Sequence, residues 1–423
     1  MDLSGGTSMK RLAFLRRTLF GKVFLSVLGV LGLLYILLFT PLGNRIMTPI
    51  IEKSLGSALS TPVALREFSL RHNRFHLMVQ DTFGNTLSTQ GGFSLLTIRL
   101  YAHYRLECFH KNGLNPIAAP FKTDGALSGG IAAFDIHGNA TVFGGSILYQ
   151  IELHRFHLAM LQLKLDNIGY EPLLHVLEYP SETDTTLSGD IALRGFDRRD
   201  VEGDIHLISQ THRFTPTPIK EDNNESFDLK SLLADKYGQI KPFNVNITID
   251  ASLEHAGILE QFVGLPLGGA VDLNATLSGD EKLLHLKAQT GVAKSDTSIV
   301  VTISDLEPSS VTFDFKHADM EQTFVLFALN APISGQGDVY GEVNTTSGNL
   351  NVSIIKGITI PNVLRQEYNI TQPLIHFDAD VHADISKKGV HYHGSFKSDL
   401  SRMQIDNTTI HDQMLSELLK TLR

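Results

Sequence analysis

Histidine is the side chain in this sequence best suited to chemistry, because a neutral imidazole ligates metals and exchanges protons near pH 7. Three groupings bring imidazoles close along the chain: His391-Tyr392-His393, His154-x-x-His157 and His72-x-x-x-His76. A zinc-type site needs such a pair plus a third ligand, and no carboxylate or cysteine cluster accompanies these pairs at metal-site spacing. They read as solvent-facing histidines on strands, and neither a metal nor a cofactor is expected. Ser-Gly and Gly-x-Ser steps sit in hairpin contexts, not at a strand-to-helix nucleophile elbow. Gly129-Gly130 and Gly268-Gly269 lack the helix and lysine that complete a phosphate loop. No catalytic residue is assigned, and the chain does not read as an enzyme. The one cysteine, Cys108, excludes a disulfide scaffold and reads as a small buried hydrophobe.

The elements behind these residues are strands. From Val63 onward, apolar and polar residues alternate with a period of two, as in a sheet with one buried and one wet face. Phe243, Val245, Ile247, Ile249 and Ala251 alternate with Asn244, Asn246, Thr248 and Asp250. Val271 and Leu273 oppose Asp272 and Asn274; Val311, Phe313 and Phe315 oppose Thr312, Asp314 and Lys316; Ile375, Phe377 and Val381 oppose His376, Asp378 and His382. The inward set Val245, Ile247, Ile249, Val271, Leu273, Val311, Phe313, Phe315, Ile375, Phe377 and Val381 is the candidate lining of an apolar surface. Asp124-Gly125, His137-Gly138-Asn139, Gly144-Gly145, Ser188-Gly189 and Ser278-Gly279-Asp280 read as turns between hairpin strands. Many one-sided strands must cover their apolar faces with a second sheet, a closed barrel or bound lipid.

A repeat underlies the meander: a short aliphatic, helix-like segment, then apolar-Ser-Gly or a similar step, then a strand, a turn and a strand. Ile168–Leu177 precedes Leu187-Ser188-Gly189, Gly257–Gly264 precedes Leu267–Leu273, and Asp319–Leu329 precedes Ile333-Ser334-Gly335; Leu127-Ser128-Gly129 has the second half alone.

Charged residues are 19 % of the 423, Gly (35) outnumbers Pro (15), and mean hydropathy is +0.01, which excludes disordered, collagen-like and polytopic membrane classes. The net charge of −9 conceals a basic N-terminus, where Lys10, Arg11, Arg16, Arg17 and Lys22 stand against Asp2. The acidic remainder argues against a nucleic-acid partner. Val23 to Phe39 carries no charge and matches the short end of a bilayer-spanning helix. With five cations before it, the positive-inside rule places the N-terminus in the cytoplasm and the bulk beyond the membrane. The expected organisation is a basic segment (1–22), a membrane anchor (23–40), a juxtamembrane amphipathic helix (41–60), repeated strands (61–410) and a C-terminal amphipathic helix (411–423). The anchor side chains are Val23, Phe24, Leu25, Leu28, Leu31, Leu34, Ile36, Leu38 and Phe39. Within the juxtamembrane segment, Thr48 and Pro49 carry the pattern of an N-cap and first helical residue. That helix either lies at the bilayer surface or packs on the first strands.

The single span, the juxtamembrane helix, the strand Val63–Leu70 and the recurring aliphatic segment with Leu-Ser-Gly-Asp-Ile units resemble the AsmA-like proteins of the Gram-negative envelope, TamB among them. The resemblance implies a mainly β fold, an elongated, taco-like antiparallel groove with few short helices. It implies an inner-membrane protein, single-pass with its bulk in the periplasm, that holds or conducts phospholipid between membranes in support of outer-membrane biogenesis. An outer-membrane protein would be a natural partner. The alternative is a structural or assembly scaffold of the envelope, built from β-sandwich-like domains and carrying no lipid.

Overall fold

The structure, a computed structural model, describes residues 39–58, 61–94, 97–109, 114–115, 119–176, 182–215, 241–259, 268–326, 333–359, 374–386, 389–399 and 402–410. The chain forms two compact units, Met1–Val142 and Phe143–Arg423. Both are mainly β, with few helices, and the sheet is not closed. Among the described residues no helix is long and apolar enough to cross a membrane. Of the expected anchor only Phe39 is described; the C-terminal helix expected at 411–423 lies outside the described residues.

The first unit is an antiparallel meander of β1 (Val63–Arg71), β2 (Arg74–Asp81), β3 (Thr86–Ser94), β4 (Arg99–Cys108), β5 (Phe121–Gly130) and β6 (Ala133–Val142). It is preceded by helix α1 (Pro41–Ala58). The helix starts eight residues earlier than the Thr48-Pro49 pattern indicates. The same Thr-Pro signal occurs at Thr40-Pro41, and there the Thr40 hydroxyl accepts the Gly43 N–H at 3.3 Å. Thr48 instead donates back to the Asn44 carbonyl at 2.9 Å, the mid-helix habit of a threonine, and Pro49 is inside the helix.

α1 serves the open edge of β1. The Leu65 N–H donates to Glu52 Oε1 at 2.7 Å, while Asn44 takes the Leu70 N–H and gives its amide to the Leu70 carbonyl, both at 3.2 Å. A strand edge with its donors satisfied by a helix cannot recruit another strand there. Leu55 packs with Val63, Leu65 and Leu77 around buried Val79 and Cys108. Of the two expected placements of this helix, its contacts with β1 are therefore observed.

The second unit holds β7 (Gly145–His154), β8 (His157–Gly169), β9 (Glu182–Arg194), β10 (Asp200–Thr215), β11 (Asn244–Leu253), β12 (Val271–Asp280), β13 (Leu283–Thr290), β14 (Asp296–Ser304), β15 (Glu307–Asp319), β16 (Ile333–Asn344), β17 (Ser347–Thr359), β18 (Ile375–Ser386), β19 (Gly389–Ser398) and β20 (Arg402–Ile410). Each pairs with the next in sequence, all antiparallel except β10 and β11, which run parallel. The two ends of the strands differ. At one end tight turns join β7 to β8, β12 to β13, β14 to β15 and β16 to β17. At the other stand α2 (Tyr170–Val176), the 3-10 turns Ala256–Leu259 and Val292–Lys294, and α3 (Met320–Leu326). All but Val292–Lys294 fall in the aliphatic segments of the sequence repeat. They bury Tyr170, Leu174 and Ile258 against Ala251 and Leu253, and Ala256, Val292 and Ala293 against Val271, Phe315 and Ala318. The Tyr170 hydroxyl, whose pKa burial pushes up to about 12, donates to the Ile258 carbonyl and ties two of them together.

Several glycine steps expected as turns lie inside strands instead. Asp124-Gly125 is in β5, His137-Gly138-Asn139 in β6, and Ser188-Gly189 in β9. In the three apolar-Ser-Gly units of the repeat the glycine has a φ closed to most L residues: Gly129 (153°), Gly189 (155°) and Gly335 (134°); Gly279 (136°), in a step expected as a turn, does the same within β12. The repeat therefore marks a recurring local backbone twist within a strand, not a reversal of the chain.

Candidate functional site

The registers of the second unit bring the apolar residues into rows that cross the strands. One row reads, partner to partner from β7 to β19, Ile151, Leu161, Leu193, Gly203, Ile247, Leu277, Leu286, Val301, Val311, Val343, Gly348, Ile385 and Val390. No polar side chain interrupts it. The neighbouring row on the same face includes Tyr149, Leu163, Ile191, Ile205, Ile249, Ile299, Phe313, Leu350 and Tyr392. Such rows arise because side chains alternate strictly across a strand and antiparallel hairpins preserve the alternation in their partners.

The opposite face is ionic. Lys164, Asp190, His206 and Asp250 are successive register partners, and His206 Nδ1 lies 3.2 Å from Asp250 Oδ2. Farther along, Asp314, Tyr340, Asn351, His382 and His393 form another row.

The expected lining residues all lie on the apolar face, in two environments. Val271, Phe315, Ile375 and Phe377 are buried, the first two beneath the 3-10 turns and Phe377 beside Met320 and Ile354. Phe377 also stacks on Phe396 with centroids 5.2 Å apart. Val245, Ile247, Ile249, Leu273, Val311, Phe313 and Val381 remain half-buried. Their solvent-side neighbours Asn246, Asp272 and Asp378 are exposed, while Asp314 is half-buried.

On the ionic face β18 and β19 bring together what sequence reading kept apart. His382 and His393 are cross-strand partners with ring centroids 4.5 Å apart, and Asp384 pairs in register with His391. The nitrogens of His382 and His393 and a carboxylate oxygen of Asp384 lie within 4.8 Å of one another. The third ligand missing beside His391-Tyr392-His393 is thus supplied across the hairpin. The signal was present: Ser386 pairs with Gly389, and counting outward from that turn sets Asp384 opposite His391 and His382 opposite His393. His154 instead meets Asp197, at 2.9 Å, and His76 meets Glu67, at 2.8 Å.

The first unit contains a buried polar knot. Asp81 Oδ1 accepts the N–H groups of Phe83 and Asn85, both at 2.9 Å, and Oδ2 accepts the Asn85 amide at 2.8 Å and the Leu114 N–H at 3.0 Å. Burial acts to raise the pKa of this carboxyl, but the hydrogen bonds from Leu114, Asn85 and Phe83 outweigh it and leave it below its ordinary value. The adjoining Cys108 thiol donates to the Leu114 carbonyl, and burial, then the Asp81 charge, push its pKa up to about 11. This knot fastens a loop to the sheet and has the inertness of a structural device.

No protein family, curated protein or solved structure matches this chain.

Proposed function

We propose that the chain is an inner-membrane-anchored periplasmic protein of the AsmA-like kind, holding or conducting phospholipid along the apolar face of its sheet in support of outer-membrane biogenesis. The observation that carries this reading is the uninterrupted apolar row from Ile151 to Val390, which includes half-buried Ile247 and is bordered by half-buried Ile249. An acyl chain needs a surface free of charge, because a carboxylate there loses its hydration without a partner. The short helical segments cover one end of the strands, and Val343, Ile385 and Val390 are buried against one another; the half-buried stretch Ile247, Leu277, Leu286 and Val301 is the part of the row offered to such a ligand. The phospholipid headgroup would remain at the polar border.

α1 supports the membrane placement. Leu42, Ile46 and Ile50 recur every four residues and are 66 %, 50 % and 55 % exposed, on a helix whose Asn44, Glu52 and Leu55 engage the first unit. An apolar stripe directly after the expected anchor suits contact with the bilayer surface.

The test is mass spectrometry of an organic extract from the purified full-length chain, compared with an Ile247→Asp/Val301→Asp variant that folds equally well by circular dichroism. Phospholipid retained by the wild type through detergent exchange and lost from the variant supports the conduit. Equal lipid in both, or none in either, favours the scaffold reading.

A further inference from the structure

We propose that His382, Asp384 and His393 form a binding site for a divalent transition metal of the zinc class, which clasps β18 to β19 on the ionic face. Two imidazoles and one carboxylate are the donor set of many zinc and non-haem metal sites, and their candidate ligand atoms already lie within 4.8 Å of one another.

The hydrogen bonding prepares His382 for this role. Its Nδ1 meets Asn351 Oδ1, an acceptor, so the Nδ1 proton points at the amide and the lone pair is left on Nε2. A metal-bound histidine typically holds its other nitrogen by such a partner. That Nε2 lies 3.3 Å from Asp384 Oδ1, so two lone-pair acceptors face each other and call for a cation between them. The His393 ring stands against the same gap, its centroid 4.5 Å from that of His382. A metal ion would draw in both rings.

Two features of the strands support the assignment. The β19–β20 register breaks between Tyr392 and Gly394, where His393 alone faces the two residues Asp406 and Asn407, so the bulge lies in β20 directly opposite His393; bulges are over-represented beside functional sites. On the other flank, Asn349, the register partner of Asp384 on β17, has a buried Oδ1 without a hydrogen-bond partner. His391, the register partner of Asp384 on β19, stands outside the cluster, its ring centroid 6.2 Å from that of His393.

The experiment titrates Zn2+ alone into the full-length chain against a chromophoric chelator and records the Co2+ d–d spectrum. One ion per chain is expected above the background of the other histidines. His382→Ala and His393→Ala should each weaken binding at least tenfold, and Asn351→Ala about tenfold through the lost positioning of His382. His206→Ala, on the same face beside Asp250, should leave it unchanged. Asp384→Asn retains the volume of the carboxylate and tests the third ligand without a packing change. Absence of a one-to-one site, or a site retained by a folded His382→Ala/His393→Ala variant, would overturn the proposal.

Discussion

Phe313 and Gly341 are register partners on β15 and β16, and the phenyl ring occupies the space where any side chain on Gly341 would stand. The same pairing of aromatic ring and glycine recurs between Tyr104 and Gly125, and between Phe377 and Gly357. Rings lying flat across a bare backbone keep the apolar face smooth while still burying aromatic area. Gly341→Val should therefore lift the Phe313 ring off the sheet and destabilise the second unit by roughly 1–3 kcal/mol, seen as a lower urea midpoint at unchanged m-value.

The repeat glycines should be less tolerant. A Cβ on Gly189 would collide with the His206 carbonyl, and one on Gly129 with that of Ala133, at φ values that already strain an L residue. Gly189→Ala and Gly129→Ala should each cost about 2–4 kcal/mol. Gly291→Ala, which meets no neighbour within 4 Å and has an ordinary φ of −89°, should be near neutral in the same denaturation assay.

The alternation, and with it the face of the sheet on which Val245, Val271, Phe313 and Phe377 lie, was legible because period two survives any error in strand length. The mid-strand glycines were not, since local composition cannot distinguish a glycine that turns the chain from one that lies under a ring on another strand. The parallel β10–β11 pair and the His382–His393 juxtaposition depend on long-range register in the same way. Thr40 and Thr48 present identical helix-start signals, and only the fit of Asn44 and Glu52 to β1 decides between them.

Asp81 makes the first unit acid-sensitive. Its folded pKa lies below the unfolded value, so the stability it contributes is present above about pH 4 and is lost as pH falls through the folded pKa. Asp81→Asn should lower stability at pH 7 by roughly 2–4 kcal/mol. It should also flatten the pH dependence of urea unfolding between about pH 5 and 2, because the titrating group is gone.

Cys108 should be inert in the native protein. With its pKa raised to about 11 and the residue 1 % exposed, it offers almost no thiolate at pH 8. Reaction with a disulfide reagent should proceed only at the rate of opening of the first unit, and should accelerate in Asp81→Asn.

The chain has no tryptophan, so a single one reports cleanly. Ile46→Trp in nanodiscs should show blue-shifted emission and quenching by brominated lipid. Asn246→Trp, at an exposed position on the ionic face of the second unit, should show neither.

The central claim is that lipid lies on one face of the sheet, and adjacent residues resolve it. A photo-crosslinking amino acid placed at Ile247 or Leu286 faces the apolar side, whereas at Asn246 or Lys287 it faces the ionic side. In Gram-negative cells expressing the full chain, irradiation followed by mass spectrometry should yield phospholipid adducts at Ile247 and Leu286 and none at Asn246 and Lys287. Adducts at all four positions, or protein adducts alone at Ile247 and Leu286, would contradict the account.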